Sequence, residues 1–524
     1  MSAIDTSAAP AAPRASDNPN VARAVITVCA MIATLMQALD ATIANVALPH
    51  MQGSLSATSD QITWVLTSYI VAAAIFTAPV GWFASRFGRK SIFMVAVIGF
   101  TIASMLCGLA QSLDQMVTFR LLQGVFGAAL VPLSQSLMWD MYPPEQRGMA
   151  MAMWGMGVML GPILGPTLGG WLTDTFDWRW VFYVNVPFGV AAALGLWFFL
   201  KGNARDQALR FDWIGFGVLS LGLGAFQLML DRGQQLDWFS STEIVIEAMV
   251  AALGIYLFVV HMLTAKKPFI SPAMFVDRNF VAGMLIMFTV GLVLLSSAAL
   301  LPGYLQRLGG YSVTEAGLLM APRGIGTMVA MLIAGRLSGR IDARLLMLFG
   351  ISTMAFTLWL MTGWTPDVSR TDLIWITTLQ GFGMGFVFIP LQVVAFATLP
   401  GQFRTDGASL FALMRNMGSA IGISIATWLL SVSTATMYSQ LGENVTPFNQ
   451  AYHIGAAGLF YNPNIPMGLA GISAEISRQA EIIAYSNDFM FLFWVSIPAA
   501  FALLLMRKPA PHKPTPEEAA LAME

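Results

Sequence analysis

The chain has 524 residues, of which 56% are hydrophobic and only 10% charged, whereas a soluble domain carries roughly a quarter charged residues. Its 27 basic and 28 acidic residues leave a net charge of −1, which excludes the basic excess that phosphate-neutralising nucleic-acid binding requires. Two cysteines, Cys29 and Cys107, and four scattered histidines, His50, His261, His453 and His512, exclude a disulfide framework and predict neither a metal site nor a cofactor.

Residues 1–20 are rich in Ala, Pro and Ser, and residues 507–524 in Pro, Ala and Glu. Both read as disordered tails, the first too poor in apolar residues for a signal-peptide core. Between them, apolar runs long enough to span a bilayer fall at 25–49, 62–84, 92–110, 115–138, 149–172, 180–200, 213–230, 243–263, 281–301, 314–335, 345–363, 372–398, 407–430 and 489–506. These fourteen spans predict an all-α integral membrane protein with both termini on one side. Assigning the tails and the loops around Arg86, Arg147, Arg205, Lys266, Arg340 and Arg404 to the cytoplasm collects nineteen Lys and Arg there. The opposite loops hold five, Arg179, Arg232, Arg307, Arg370 and Arg478. That bias is a strong positive-inside signal.

In the first span, Asp40 stands in an otherwise apolar helix, where a charge costs about 3 kcal/mol or more. It is the only acidic residue expected near the centre of a span. Gln37, Ala33, Ala44 and Ala47 lie on or near its face, which predicts a polar, open side toward a cavity; the alternative is a helix-to-helix hydrogen bond that holds the bundle. In the fourth span Arg120, Gln123, Gly124 and Gly127 share one face. Arg does not release its proton, so Arg120 either biases a nearby carrier or holds helix four through a permanent ion pair.

In the fifth span Gly157, Gly161, Gly165 and Gly169 form a stripe of every fourth residue that permits close backbone approach. Pro162 and Pro166 remove two amide donors and are expected to bend that helix. The 34 Met and 11% aromatic content suit a pocket that accepts several apolar shapes, with Trp64, Tyr69, Trp154 and Met156 as candidates beside Gln37 and Gln123. Arg415 and Arg323 are candidates whose partners the sequence does not show. The segment 431–488 is far longer than the other connections, and such loops are functional or disordered. Within it, Ile472 to Ala484, with Glu475, Arg478 and Glu481 spaced three apart, fits either a short amphipathic helix on the membrane surface or a solvated connector.

Three local sequences recur at nearly one offset. The run Gly81 to Lys90, with Arg86, Gly88 and Arg89, is echoed from Gly335 to Arg344; Leu122-Gln123-Gly124 by Leu379-Gln380-Gly381; and Arg147 by Arg404. The chain therefore reads as a six-helix bundle at 21–200, two inserted helices at 201–275 and a second six-helix bundle at 276–506. Parallel halves of this kind are the architecture of major facilitator transporters, whose substrate site lies between the repeats.

The motifs narrow the likeness. Leu39 to Pro49 in span one, Arg120-Leu-Leu-Gln-Gly124 in span four, Gly161 to Gly170 in span five, Trp178 to Pro187 at span six and Leu230 to Phe239 after span seven resemble the fourteen-helix drug:proton antiporters of the major facilitator superfamily, and most closely the EmrB type. The resemblance covers nearly the whole chain apart from its tails. It implies proton-driven efflux of several lipophilic drugs or toxic compounds across a bacterial inner membrane, with Asp40 and Arg120 in proton coupling and the span-five stripe as an antiporter motif. Gly81, Arg86, Gly88 and Arg89 would form the cytoplasmic gate loop. It also implies a periplasmic adaptor of the EmrA type and an outer-membrane channel of the TolC type as partners. One position departs from the pattern: the acidic residue usual in the loop after helix two is Ser85 here, and Asp140 at the cytoplasmic end of helix four is a candidate to replace it. Two other readings stand beside efflux of many compounds, an exporter of one metabolite such as a siderophore and a membrane-embedded enzyme. The latter would need a nucleophile–base pair or a metal cluster, which the scattered histidines do not offer, and no phosphate-loop motif for an ATP-driven pump is present.

Overall fold

The computed structural model describes residues 19–202, 209–443, 445–446, 461 and 465–507. Most of the two tails, Arg205, His453 and His512 lie outside the described residues. Among those described, fourteen helices are long and apolar enough to cross a membrane, and none forms a strand.

The first six are α1 (Pro19–Ser54), α2 (Trp64–Thr77, resuming as Val80–Phe87), α3 (Arg89–Leu109), α4 (Leu113–Gly127, resuming as Leu130–Met141), α5 (Arg147–Thr175) and α6 (Asn185–Phe199). Next come α7 (Trp213–Arg232) and α8 (Thr242–Thr264). The last six are α9 (Arg278–Gly303, ending in a π turn, Tyr304–Leu308), α10 (Val313–Leu337), α11 (Ala343–Met361), α12 (Arg370–Ala397), α13 (Arg404–Gly442) and α14 (Pro466–Ala502). Polar residues start several of them. Ser112 caps α4 by accepting from the Gln115 amide, and Ser312 forms a reciprocal capping box with Glu315 at α10, which satisfies amides that a helix N-terminus otherwise leaves unpaired.

Two compact units emerge, Met1–Pro143 with Met156–Phe211, and Pro144–Gly155 with Asp212–Glu524. In the first, α2 meets α4 where a Cβ on Gly124 would lie 2.5 Å from the Tyr69 carbonyl oxygen. The span-five stripe packs on α1: Cβ atoms at Gly161 and Gly165 would overlap the Ala38 backbone and Thr42, and one at Gly169 would lie 2.9 Å from Ile43. Thr42 Oγ1 also donates to the Gly161 carbonyl at 3.1 Å. Despite its prolines, α5 is one uninterrupted helix of 29 residues.

In the second unit, α10 meets α12 where a Cβ on Gly381 would overlap the Arg323 carbonyl oxygen, and one on Gly385 would lie 2.6 Å from Ala330. The inserted helices α7 and α8 touch at Gly222 and Gly254, whose Cβ atoms would each lie under 3 Å from the other helix's backbone. Ser424 Oγ of α13 donates to the Leu230 carbonyl of α7 at 2.8 Å. Small residues at the crossings are what helices surrounded by lipid need, since apolar burial between them gives no net drive.

The segment 431–488 departs from expectation. Helix α13 runs on to Gly442 and α14 already starts at Pro466, so Ile472 to Ala484 is neither a separate surface helix nor a connector. Hydropathy marks where a helix leaves lipid, whereas its hydrogen-bond ladder continues as long as side chains allow, and Arg478 pairs with Glu475 at 2.8 Å one turn apart. A consequence is that Asp488, expected at the end of a loop, lies within α14 and is fully buried. Asp40 is therefore not the only fully buried acidic residue within a long apolar helix.

Candidate functional site

The site is built on α1, α4 and α6 of the first unit. Helix α4 aims Arg120 and Gln123, one turn apart, at the carboxyl of Asp40 on α1. Arg120 Nη1 donates to Asp40 Oδ2 at 2.7 Å, and Gln123 Nε2 donates to Asp40 Oδ1 at 2.8 Å. The same Nη1 reaches Gln123 Oε1 at 2.9 Å, while Arg120 Nε donates to the Val65 carbonyl at 3.0 Å. Asn185 of α6 adds a long bond to Asp40 Oδ1 at 3.5 Å and a shorter one to Ser104 Oγ at 3.1 Å. Ser104 Oγ in turn donates to the Phe182 carbonyl at 2.9 Å.

Aromatic rings close the network. The Arg120 guanidinium carbon sits 4.2 Å from the centre of the Tyr69 ring and 5.6 Å from that of Phe182, within reach of cation–π attraction. Asp40, Arg120, Gln123 and Asn185 are all at 0% exposure. This corrects the expectation of a polar, open face around Asp40. Ala33, Ala44 and Ala47 are packed into the apolar clusters of the unit, because the carboxyl obtains its compensation from Arg120, Gln123 and Asn185 instead of from water. A buried pair of this kind survives only when hydrogen bonds saturate both partners, and here both carboxylate oxygens accept.

Of the other candidates, Gln37 neighbours the Tyr69 hydroxyl, and Trp64, next to Val65, is 37% exposed. Trp154 is buried and stacks on Phe388 of α12 at 6.1 Å, inside the second unit. Met156 is half-buried on α5. Arg415 lies in the second unit, half-buried, with a 3.5 Å bond to its neighbour Asn416. The structure thus brings Asp40, Arg120, Gln123, Tyr69 and Gln37 together in the first unit, while Trp154 and Arg415 belong to the second unit. Reasoning from sequence missed Asn185 and Ser104; Asn185 stands in the Trp178 to Pro187 motif, and a buried-helix asparagine is itself a signal of a polar partner.

At the gate loop, Gly88 has φ +90°, a backbone region that favours glycine, and lets α2 turn directly into Arg89 at the start of α3. Arg89 Nη1 pairs with Asp140 Oδ2 at 2.6 Å.

Comparison with known proteins settles the ancestry of this arrangement. The model of the Major Facilitator Superfamily matches residues 30–423 and again 279–522. The chain belongs to the major facilitator superfamily. Within that superfamily it is 37% identical to the multidrug export protein EmrB of Escherichia coli K12 over 485 residues, covering 92% of this chain and 94% of that protein. It is 36% identical to the fatty acid resistance protein FarB of Neisseria gonorrhoeae over 498 residues, covering 94% and 97%. The fold alone is shared with the crystal structure of the human organic anion transporter MFSD10, at a TM-score of 0.56 and 14% identity over 91% of this chain and 99% of that one. These matches run through both repeats, and the chain is a transporter of the EmrB-like branch.

Proposed function

We propose that this protein is a proton-driven efflux antiporter that exports lipophilic drugs or other toxic compounds across the bacterial inner membrane, with the Asp40–Arg120 pair as its coupling centre. The observation that carries the reading is the fully buried ion pair, saturated by Gln123 and Asn185, in a chain so similar to a multidrug export protein. Arg120 holds its charge, so Asp40 is the member that gains and loses a proton. Protonation cancels the 2.7 Å attraction while Arg120 keeps the Val65 carbonyl, Gln123 and the Tyr69 face. Asp40 lies two residues before Thr42, which is bonded to Gly161. A shift of α1 on proton loading is thereby passed to the α5 stripe, where Gly161 lies against the Ala38 backbone and Gly165 and Gly169 against the Thr42 and Ile43 side chains.

Counterflow of several lipophilic dyes in proteoliposomes under an imposed pH gradient tests the reading. Gradient-dependent dye movement is expected, and movement indifferent to the gradient would contradict it. In the proposed orientation both termini and the Arg89–Asp140 pair lie in the cytoplasm. A terminal reporter active only outside the cytoplasm should stay silent. The external ends of α13 and α14, with the residues between them, are the surface for an EmrA-type adaptor feeding a TolC-type channel; replacing 444–464 by a short linker should abolish whole-cell resistance while leaving dye transport in proteoliposomes intact.

A further inference from the structure

Asp488 plays no part in the centre just described and belongs to the other unit. Its side chain is at 0% exposure, and neither carboxylate oxygen has a hydrogen-bond partner among the described residues. Asp40 is equally buried, but Arg120, Gln123 and Asn185 compensate its charge. Among the described residues no such group is bonded to Asp488, and an ionised carboxylate without partners in an apolar interior costs several kcal/mol or more, about what drives a carboxyl to take up a proton instead.

The helix also provides a route. Glu481, Tyr485 and Asp488 follow one another at i, i+4 and i+7, so they line one face of α14. Glu481 is partly exposed and pairs with Arg307 of the π turn at 3.3 Å. Tyr485 is buried against Gly303 and the Tyr304 ring, 5.5 Å between ring centres. Trp364 and Tyr304 pack on Phe489, the residue after Asp488, at 5.8 and 6.4 Å. The three residues thus descend from the solvent edge, past an aromatic cluster, to a carboxyl about 10 Å farther along the helix.

We propose that Asp488 is a second proton-binding site, loaded at rest and reached from the external side through Glu481 and Tyr485. The proposal rests on the reading of proton-driven export. The charged and titratable groups around it are few. The π turn brings Tyr304 and Arg307, and the α11–α12 connection brings Asp367. Helix α9 carries only Arg278 and α11 only Arg344, each in the first turn at the opposite end. Helix α13 carries Arg404, Asp406 and Arg415 toward its start, and Tyr438, whose hydroxyl is bonded to Ser473 at 2.9 Å. Among the described residues no side chain on these elements is hydrogen-bonded to the Asp488 carboxyl.

Infrared difference spectra of the purified full chain, recorded as the pH is raised from neutral, test this. Wild type should show a protonated-carboxyl band that disappears in Asp488→Asn and persists in Asp40→Asn; a band unchanged in Asp488→Asn overturns the assignment. If the Asn variant does not fold, Asp488→Glu decides, because the band must move with the new side chain, and a band that stays put overturns it. In proteoliposomes Asp488→Asn should bind dye as wild type does and lose several-fold of its gradient-driven transport, with Asp488→Glu restoring part of it. A pH profile identical to wild type would show that the buried acid only fills space, which also overturns the proposal. The spectra need no transport, so a failure of the export reading, with no gradient-driven dye movement even in wild type, is distinguishable.

Discussion

The two halves of the chain repeat their packing and not their chemistry. In the first unit Gly124 of α4 lies against the Tyr69 carbonyl of α2; in the second Gly381 of α12 lies against the Arg323 carbonyl of α10. Those pairs correspond at the offsets of the sequence echoes. At the neighbouring positions the halves part. Gln123 joins Asp40 to Arg120, whereas the side chain of Gln380 has no hydrogen-bond partner among the described residues. Where Arg120 stands in α4, Thr377 stands in α12 and bonds to its own helix. Among the described residues the Arg323 side chain bonds to Ser297 and the Leu294 carbonyl. The backbone contacts recur in both copies, and among the described residues the fully buried ion pair lies in the first.

The largest expected effects come from the close backbone contacts within each half. Gly161→Leu and Gly381→Leu each drive a side chain into neighbouring backbone, so neither variant should yield folded protein on size-exclusion chromatography in detergent. Gly165→Leu meets the Thr42 side chain first; it should keep expression and lose dye transport, and normal transport by it would break the claim that the stripe sits on α1. Next comes the chemistry confined to one copy. Arg120→Leu strands a buried carboxylate and should cost about 3–5 kcal/mol, read as a large drop in thermal unfolding temperature. The sharpest contrast is between the paired glutamines. Gln123→Leu should cost about 1–3 kcal/mol, while Gln380→Leu removes unpaired polar atoms and should leave stability unchanged or raised; equal losses would erase the distinction. Arg89→Ala breaks a partly exposed pair and should change stability by about 1 kcal/mol or less.

Much of this was legible from residue types alone. Apolar runs locate all fourteen helices, and the cost of a charge in lipid singles out Asp40 and Arg120. Their pairing was not legible, because eighty residues separate them and only the packing of α1 on its neighbours decides which face of α4 meets Asp40. For the same reason the open face expected around Asp40 is a sealed one. Asp488 escaped because the polar residues at 475–488 pull the hydropathy down and move the apparent start of the last span to 489, although the same residues continue the helix and bury one of its faces. The Asp140 carboxyl, which the sequence offers as a candidate to replace the acid absent at Ser85, pairs with Arg89.

Proton release on substrate addition is the measurement closest to the central claim. In weakly buffered detergent solution at neutral pH, a lipophilic cationic dye is added to purified wild type and to Asp40→Asn, and the protons released are counted. The account predicts release from wild type and a marked loss of it in Asp40→Asn, with dye binding retained. Equal release from both would place the coupling carboxyl elsewhere in the chain and contradict the account.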